Sequence, residues 1–293
     1  MTYRTEFYKD INEFYEIAVP FLLANEIENS LQLMLLNNLK KNINRYGDVN
    51  PILCAIYEDD NIKLISLRTP PYNQVLSYTN DLKTIDLLVD ALNKQNAQLP
   101  GVLGFKEGVK RFTKLWCSIN SISSRVATNE RLYKLENVAE ETLGKRKFVK
   151  AANFHERLIL KWGREFILEA LPDRTPEMIE RSLEHFPSDI SEGRIFLLFD
   201  NDIPVSMARK AGESINGNAI NAVYTPPSLR RKGYATECVA RLSKLLLEQG
   251  YKHCFLFTDL SNPTSNSIYQ KIGYRPVIDV DEIHFVNTLN NNP

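Results

Sequence analysis

The stretch TPPSLRRKGYAT, Thr225 to Thr236, decides how the C-terminal half of the chain folds. Two prolines and three consecutive cations precede a glycine, and an apolar-periodic segment follows directly. A loop that leads into a helix leaves the first backbone N–H groups of that helix without partners, and the helix dipole adds positive charge there. Gly233 permits torsions and a closeness of approach that a side chain would obstruct. The stretch therefore predicts an anion site, suited to a pyrophosphate, at the start of a helix. Taken alone, it fits equally well a surface loop with solvated cations before an ordinary helix.

Apolar patterns on both sides of this loop predict a strand, a helix and a second strand. Residues 217–225 form the first strand, 235–250 an amphipathic helix and 253–258 a strand buried on both faces. This order implies a parallel pair with a right-handed crossover. Pro226 and Pro227 have no N–H group to donate, so they end the pairing of the first strand and predict a cleft between the two strands.

The remaining C-terminal patterns complete an α/β unit. Residues 194–200 and 203–209 predict a hairpin through an Asn-Asp turn, and 275–286 predict a closing strand. A short helix before the closing strand carries polar residues spaced four apart, which therefore lie on one face of the helix. Its members are Asn262, Ser265, Asn266 and Tyr269. Further upstream, the patterns predict a strand at 146–151 and helices at 153–171 and 177–185.

The N-terminal half has a similar order of elements. Helices precede a hairpin at 52–58 and 62–68, followed by an extended segment, two helices and a strand at 131–138. The sequence therefore predicts an α/β (α+β) fold with mixed, centrally splayed sheets flanked by helices, as a tandem of two related domains. We place these domains at 1–143 and 144–293, joined around 139–147.

Composition restricts the class of partner. Among 293 residues, 36 basic and 36 acidic side chains cancel, so overall charge favours neither nucleic acid nor an anionic membrane. The chain shows no signal-peptide pattern and no apolar run of about 20 residues, so we expect a cytoplasmic protein with no membrane partner. The cysteines lie far apart, with no histidine spaced to share a metal, and we interpret them as small buried residues. They are Cys54, Cys117, Cys238 and Cys254.

These residues carry a family resemblance. The segment 221–277 resembles the acyl-CoA-binding core of the GNAT superfamily of N-acetyltransferases, whose signature of Gln or Arg, two residues, Gly, one residue, then Gly or Ala is matched by residues 230–235. The later family element, an Asn that begins a helix carrying a Tyr and ending in Gly plus an aromatic, is also present. It is matched by Asn262, Tyr269, Gly273 and Tyr274. The sequence of this region is most similar to that of a bacterial branch whose members have an additional N-terminal domain. In that branch the first half is often a degenerate copy of the same fold.

The resemblance, which covers about the last 150 residues, implies a site for acetyl-CoA as co-substrate, with no metal. It implies that backbone groups of one strand segment bind the pantetheine arm, namely those of Val223, Tyr224 and Thr225. It implies that a loop cradles the pyrophosphate, with Arg230 at its entrance. The cradle comprises Arg231, Lys232, Gly233, Tyr234, Ala235 and Thr236. Asn262 and Asn266 are implied to line the pantetheine channel.

The resemblance also implies a reaction in which a neutral primary amine attacks the thioester directly. Tyr269 would stand near the sulfur and protonate the departing thiolate, which a phenol of ordinary pKa about 10 can do. The sequence does not identify a single carboxylate as the base that deprotonates the amine. Asp259 is the first choice and His284 another possibility, while we interpret Glu237 as solvated. Asn221 is expected to orient the substrate or a water.

Other interpretations stay open. A non-catalytic acyl-CoA-binding or scaffold protein would keep the fold without turnover, whereas a nucleotide-binding oxidoreductase would need three spaced glycines where this loop has one. The acceptor is open among a small amine, an amino acid, an antibiotic and a protein terminus, as is the choice between monomer and homodimer. The N-terminal half has NDLKT where the phosphate loop would fall, so we expect it to bind no CoA and to shape the acceptor site or an interface.

Overall fold

The computed structural model describes residues 2–171 and 175–286. Within these residues the chain divides into two compact units. Unit 1 comprises residues 2–132, 259–261 and 277–286, and unit 2 comprises 133–171, 175–258 and 262–276.

The first half of the chain forms strands and helices in alternation. In chain order they are β1 (Tyr3–Tyr8), α1 (Ile11–Leu23), α2 (Ser30–Lys41), β2 (Ile52–Glu58), β3 (Asn61–Arg68), β4 (Gln74–Leu76), α3 (Lys83–Lys94), β5 (Gly101–Phe105), α4 (Lys106–Asn120) and β6 (Ser123–Leu135).

The second half repeats this order. Its elements are β7 (Lys147–Lys150), α5 (Glu156–Ala170), α6 (Pro176–Leu183), α7 (Phe186–Ser191), β8 (Ile195–Asp200), β9 (Ile203–Glu213), β10 (Gly217–Tyr224), α8 (Tyr234–Glu248), β11 (His253–Asp259), α9 (Pro263–Ile272) and β12 (Arg275–Val286). The two series match element for element, apart from the additional short helix α7. The predicted tandem of two related α/β folds is thereby confirmed.

Each unit contains a mixed sheet. In unit 1, β1 to β4 pair antiparallel in chain order, β4 pairs parallel with β5, and β5 pairs antiparallel with β12. In unit 2, β7 to β10 pair antiparallel in chain order, and β10 pairs parallel with β11. The last strand of the second series, β12, thus completes the sheet of unit 1 from residue 277 onward.

Helices cover both faces of the sheet in unit 1. Because successive strand residues point to opposite faces, Leu53 and Ala55 of β2 pack with α1 and α2, while Cys54 and Ile56 pack with α3 and α4. This explains why the sequence of β2 reads as a continuous apolar run.

Unit 2 has the same layers. Leu197 of β8 faces the cluster formed with α5, α6 and α7, and its neighbours Phe196 and Leu198 face the cluster formed with α8 and α9. The β8–β9 hairpin turns at Asn201 and Asp202, whose φ angles of 49° and 61° suit a tight hairpin turn. Asn and Asp tolerate this left-handed backbone better than other side chains, so the predicted Asn-Asp turn agrees with the structure.

Several elements differ from the sequence expectation. The strands β1 and β5 and the helix α7 were not predicted, and β6 begins at Ser123, well before the predicted start at Arg131. The extended segment 73–79 is a strand only at 74–76. These elements are short, or carry exposed polar residues in their first half, so they lack the alternation on which a strand prediction depends.

Glu130, on β6, interacts with two other carboxyl groups of unit 1. Burial is the main cause that raises the pKa of Glu130 to about 7, and the charges of Glu282 and Asp259 raise it further. Glu282 lies on β12 and accepts a hydrogen bond from Asn73 Nδ2 at 2.6 Å. Above pH 7 the folded protein therefore keeps an ionised Glu130 carboxylate among like charges, which opposes folding.

Replacing Glu130 by Gln should stabilise the protein at alkaline but not at acidic pH. The unfolded chain ionises this carboxyl at lower pH than the folded protein, so the parent loses stability as pH rises from about 5 to about 7.5. We expect Glu130→Gln to raise the free energy of unfolding by about 2 kcal/mol at pH 8 and to change it little at pH 5. Urea denaturation at both pH values measures this, with the exposed Glu141→Gln as control. Equal or lower stability of Glu130→Gln at pH 8 would contradict the expectation.

Candidate functional site

Strands β10 and β11 pair at one end and part at the other. Their parallel register runs from Gly217 opposite His253 to Ala219 opposite Phe255, and β10 then continues to Tyr224 without a further partner on β11. The parting begins upstream of Pro226, so the prolines are not its cause, contrary to the sequence expectation. The backbone of residues 220–224 thus offers one edge that β11 does not use.

A β-bulge lies in the parted segment of β10. Ala222 has a φ of 46°, and the register with β9 shifts between Asn221, opposite Arg209, and Tyr224, opposite Met207. A bulge inserts one extra residue and bends the strand, which turns backbone groups away from the regular ladder. The bulge therefore directs β10 away from the line of β11 and exposes its backbone near Val223.

The segment Val223 to Thr225 has some of its polar groups already in use. The carbonyl of Tyr224 accepts from Ser206 Oγ at 3.2 Å, and the carbonyl of Thr225 accepts from Arg230 Nε at 2.9 Å. Thr225 is 8% exposed, and its hydroxyl donates to Ser206 Oγ. Val223 is half-buried.

The loop before α8 has two left-handed residues. Arg231 has a φ of 65° and Gly233 a φ of 79°, and Gly233 is the residue that caps α8. Left-handed and right-handed torsions in succession make neighbouring N–H groups converge, as in anion-binding nests. The first intrahelical bond runs from Glu237 N to Gly233 O, so the N–H groups of residues 234–236 point out of the helix start. A side chain at Gly233 would meet no atom within 4 Å, so the space in front of the helix is open.

The three cations of the loop differ in their surroundings. Arg230 is engaged, because its guanidinium donates to Glu169 of α5 at 2.6 and 2.9 Å. Arg231 and Lys232 are exposed, and neither forms an ion pair with any of the residues that the structure describes. The charge available to an anion at this helix start therefore comes from Arg231 and Lys232.

The first turn of α8 is more enclosed than the sequence indicated. Tyr234 is 6% exposed and donates its hydroxyl to Asp200 Oδ2 at 2.5 Å, and this bond is the main cause that raises the pKa of Tyr234. Ala235 and Thr236 are half-buried. The expectation of a solvated Glu237 is wrong: it is 3% exposed and paired with Arg146 at 2.6 Å. The reason is that the chain near Gly144 covers this face of the helix.

Tyr269 of α9 lies in the apolar core of unit 2, with 9% of its surface exposed. Its ring packs against Tyr133 at 6.4 Å and edge-on against Tyr274 at 5.9 Å between centroids. Burial raises the pKa of Tyr269 to about 12. No described residue forms a hydrogen bond with its hydroxyl, and this oxygen is not one of the fully buried polar atoms that lack a partner. Tyr269 thus packs inward and does not lie on the polar face that the sequence predicted. Its hydroxyl proton is not donated to any of the described residues.

Asn262 and Asn266 make structural hydrogen bonds at the start of α9. Asn262 caps the helix, since its Oδ1 accepts from Ser265 N at 3.0 Å. Asn266 donates from Nδ2 to the Asn262 carbonyl at 2.8 Å and accepts at Oδ1 from the hydroxyl of Tyr133 at 2.9 Å. These bonds fix the orientation of both amides.

Asn221, on the exposed edge of β10, is held by a charged pair. Its Oδ1 accepts from Arg209 Nε at 2.8 Å, and Arg209 also donates to Asp189 Oδ2 at 2.8 Å. Asp189 lies on α7 and is 5% exposed. The sequence did not predict this chain of hydrogen bonds from Asn221 through Arg209 to Asp189, because α7 was not predicted and the three residues lie on separate segments.

Asp259, the last residue of β11, acts as a turn residue. Its Oδ1 accepts from Ser261 N at 2.7 Å, the pattern of an Asx turn.

In unit 1 the helix start that corresponds to that of α8 is the start of α3, and a side chain of the protein occupies it. Asp81 Oδ1 accepts from Lys83 N at 3.1 Å, and Oδ2 accepts from the hydroxyl of Tyr3 at 2.7 Å. An internal carboxylate therefore stands where unit 2 leaves open space.

The described residues contain neither a metal-ligand group nor a helix that could span a membrane. In residues 2–171 and 175–286, no group of three or more His, Cys, Asp or Glu side chains is arranged to hold a metal ion. Over the same residues, no helix has both the length and the apolar character needed to cross a membrane.

Comparison with known proteins agrees with this geometry. Residues 207–283, from β9 into β12, match the family model of the FR47-like protein. No curated protein is matched by the sequence.

Solved structures resemble the chain over nearly its full length. An acetyltransferase from the GNAT family of Colwellia psychrerythraea has a TM-score of 0.59 at 12% identity, covering 97% of this chain and 100% of that one. A GCN5-related N-acetyltransferase from Sphaerobacter thermophilus has a TM-score of 0.60 at 13% identity, covering 97% and 95%. A Drosophila protein has a TM-score of 0.64 at 14% identity, covering 96% and 98%. The predicted resemblance is confirmed: the chain has the fold of the GNAT acetyltransferases, and its β9–β12 region matches the FR47-like model.

Proposed function

We propose that this protein transfers an acetyl group from acetyl-CoA to a primary amine. The observation that carries the proposal is the open start of α8, with left-handed backbone at Arg231 and Gly233, beside the edge of β10 that β11 leaves unused. A pyrophosphate needs several donors that converge on adjacent oxygens, and a pantetheine arm needs an extended backbone edge. Unit 2 offers both next to each other in the chain.

The residues present fit such a co-substrate. The N–H groups at the start of α8 and the side chains of Arg231 and Lys232 would hold the pyrophosphate, and Gly233 leaves the room that it needs. The backbone near Val223 would bind the pantetheine arm. Asn262 and Asn266 are proposed to line the pantetheine channel, as the resemblance implies, with their amides oriented by the bonds described above.

The proposed chemistry forms one bond and breaks one bond. The amine nitrogen attacks the carbonyl carbon of the thioester, the C–S bond breaks so that the thiolate of CoA leaves, and the proton of the amine passes to the carboxylate of Asp259. Tyr269 remains protonated at neutral pH and donates a hydrogen bond to the departing thiolate. Asn221 orients the acceptor or a water, held in place by Arg209. The backbone of the bulge polarises the carbonyl oxygen.

Unit 1 is proposed to bind no CoA. Asp81 places a carboxylate on the backbone N–H of α3, which repels a phosphate and occupies its donor. Titration of the parent protein should therefore saturate at one acetyl-CoA per chain. We propose a role in forming the acceptor site or an interface for this half, as the sequence led us to expect.

Substitution of Gly233 tests the anion site with an isosteric pair of variants. Gly233→Asp places a negative charge in the open space before α8, whereas Gly233→Asn places a neutral side chain of the same shape there. Both residues tolerate left-handed torsions, so both variants should fold. Calorimetric titration with acetyl-CoA should show a loss of binding of 100-fold or more for Asp and about tenfold or less for Asn. Equal affinities of the two variants would show that no phosphate lies at this helix start.

Tyr269 and Tyr274 are in ring contact, and substitutions of the two distinguish an effect on catalysis from an effect on stability. Tyr269→Phe removes a hydroxyl without a protein partner, so we expect kcat to fall about 100-fold or more with little change in Tm or in acetyl-CoA affinity. Tyr274→Phe removes a buried hydrogen bond with Ser243 Oγ, 2.9 Å long, so it should lower stability by about 1 kcal/mol and leave kcat unchanged. Steady-state kinetics and thermal denaturation of both variants measure this. An unchanged kcat in Tyr269→Phe, in a protein that binds acetyl-CoA, would favour another proton donor or the non-catalytic alternative.

Substitution of Asp259 tests which carboxyl group takes the proton of the amine. We propose Asp259, the choice from the sequence, whose Oδ1 also accepts from Ser261 N at the end of β11. Asp259→Asn keeps an acceptor oxygen for this turn and removes the carboxylate, so we expect kcat/KM to fall about 100-fold or more with little change in the acetyl-CoA Kd. Steady-state kinetics and calorimetric titration of the variant measure this. An unchanged kcat/KM in Asp259→Asn would assign the proton transfer to another group.

A further inference from the structure

The first turn of α8 contains a buried acid directly behind the open helix start. Glu237 lies four residues after Gly233, and only 3% of its surface is exposed. An acid in the first turn stabilises a helix, because it complements the positive end of the dipole. The same negative charge opposes any anion that binds in front of that end. A helix built to hold a pyrophosphate therefore has to neutralise Glu237.

The chain segment before β7 provides this neutralisation. Arg146 donates its backbone N–H to Glu237 Oε1 at 2.8 Å and its guanidinium NH1 to Oε2 at 2.6 Å. Arg241, one turn further along α8, approaches Oε1 at 3.8 Å. Gly144, with a φ of 52°, packs so closely that a methyl group there would overlap the carboxyl group. The segment 144–146 thus encloses the Glu237 carboxylate.

Arg146 is itself fixed by the surroundings of the loop. Its guanidinium lies 4.9 Å from the ring centroid of Tyr234, the first residue of α8. Its Nε is 3.7 Å from Asp200 Oδ2, the oxygen to which Tyr234 donates. Its carbonyl accepts a hydrogen bond from the Arg241 guanidinium. One side chain therefore joins the acid of the first turn to the aromatic residue that begins the helix.

Removal of Arg146 would leave a buried charge close to the anion site. A carboxylate removed from water is weakly screened, so its repulsion of a phosphate bound at the start of the same helix is stronger than at a surface. The contribution of Arg146 does not require contact with the ligand. Its electrostatic part depends on the charge of Glu237 and should vanish with that charge, whereas its packing against Tyr234 should not.

We propose that Arg146 is a positioning residue for the pyrophosphate of acetyl-CoA, acting by neutralising Glu237 and by holding Tyr234 at the start of α8. This inference rests on the proposed function of unit 2. It places a specific binding requirement in the segment before β7, outside the loop of residues 230–236.

A double-mutant cycle tests the proposal through acetyl-CoA affinity. Arg146→Met removes the charge and keeps an unbranched apolar side chain against Tyr234, while Glu237→Gln removes the opposing charge and keeps the shape. We expect the acetyl-CoA Kd to rise tenfold or more in Arg146→Met, and to stay within about threefold of the parent in Glu237→Gln. In the double variant the Kd should return to within about threefold of the parent, because the two effects are coupled.

A second ligand distinguishes charge repulsion from a general loss of structure. Acetyl-pantetheine carries the same thioester without the pyrophosphate, so its KM should be the same in Arg146→Met as in the parent. Arg146→Lys keeps the charge and should bind acetyl-CoA within about threefold of the parent. Thermal denaturation of each variant reports folding. If Arg146→Met does not fold, the affinities of Arg146→Lys and of the double variant decide the matter.

The outcomes separate this inference from the function on which it rests. Failure of the parent to bind acetyl-CoA would overturn the proposed function and the inference with it. Binding by the parent, with unchanged affinity in folded Arg146→Met, would overturn the inference alone. A folded double variant that binds as weakly as Arg146→Met would also overturn it, because neutralisation of Glu237 would then not be the cause.

Discussion

The parting of β10 from β11 is the constraint on which the site in unit 2 depends. A parallel pair normally satisfies the backbone groups of both strands, and here it does so only as far as Ala219 and Phe255. The left-handed Ala222 and the bulge around it bend β10 away before the strand ends. The chain that leaves β10 then reaches α8 through a loop whose torsions open the helix start. The bulge in β10 thus provides an unused backbone edge and the loop provides a free helix end, and neither feature alone would hold a ligand with both an extended and an anionic part.

Unit 1 shows what the same order of elements becomes without that irregularity. At the end of β4 the backbones of β4 and β5 still lie close together: a methyl group at Gly104 of β5 would be 2.9 Å from the Leu76 carbonyl oxygen. The carboxylate of Asp81 then occupies the start of α3. An internal acid stabilises the helix as a bound anion would, so this copy of the fold gains stability from the position that unit 2 leaves open. The two halves of the chain thus use one architecture in two ways, and the difference lies in a few residues at equivalent turns.

The sequence predicts the C-terminal elements well because strong local signals mark them. Gly233, Pro263 and Gly273 fix the ends of α8 and α9, and alternating or continuous apolar runs mark the strands between them. Where the signal is weak, the prediction fails: β5 is short, and the first half of β6 is exposed and polar. The site residues follow the same division. Local motifs predict roles for Gly233 and Tyr269, whereas the partners of Glu237 and Asn221 come from segments far apart in the chain. No local pattern reports that Arg146 covers Glu237, and for this reason the expectation of a solvated Glu237 was wrong.

Two of the arginines around the start of α8 are paired with acids. Arg230 and Arg146 both point to this region, yet Glu169 and Glu237 neutralise them. The field in front of the helix therefore comes from its backbone N–H groups and from the exposed Arg231 and Lys232. Fixed backbone donors lose little freedom when they bind an anion, and mobile surface cations add attraction that salt screens. A site built in this way should keep most of its affinity at moderate ionic strength, because its main donors are already oriented by Gly233 and by the residues packed behind the first turn. In the proposed site, the residues packed behind the first turn therefore contribute to binding together with the loop in front of it.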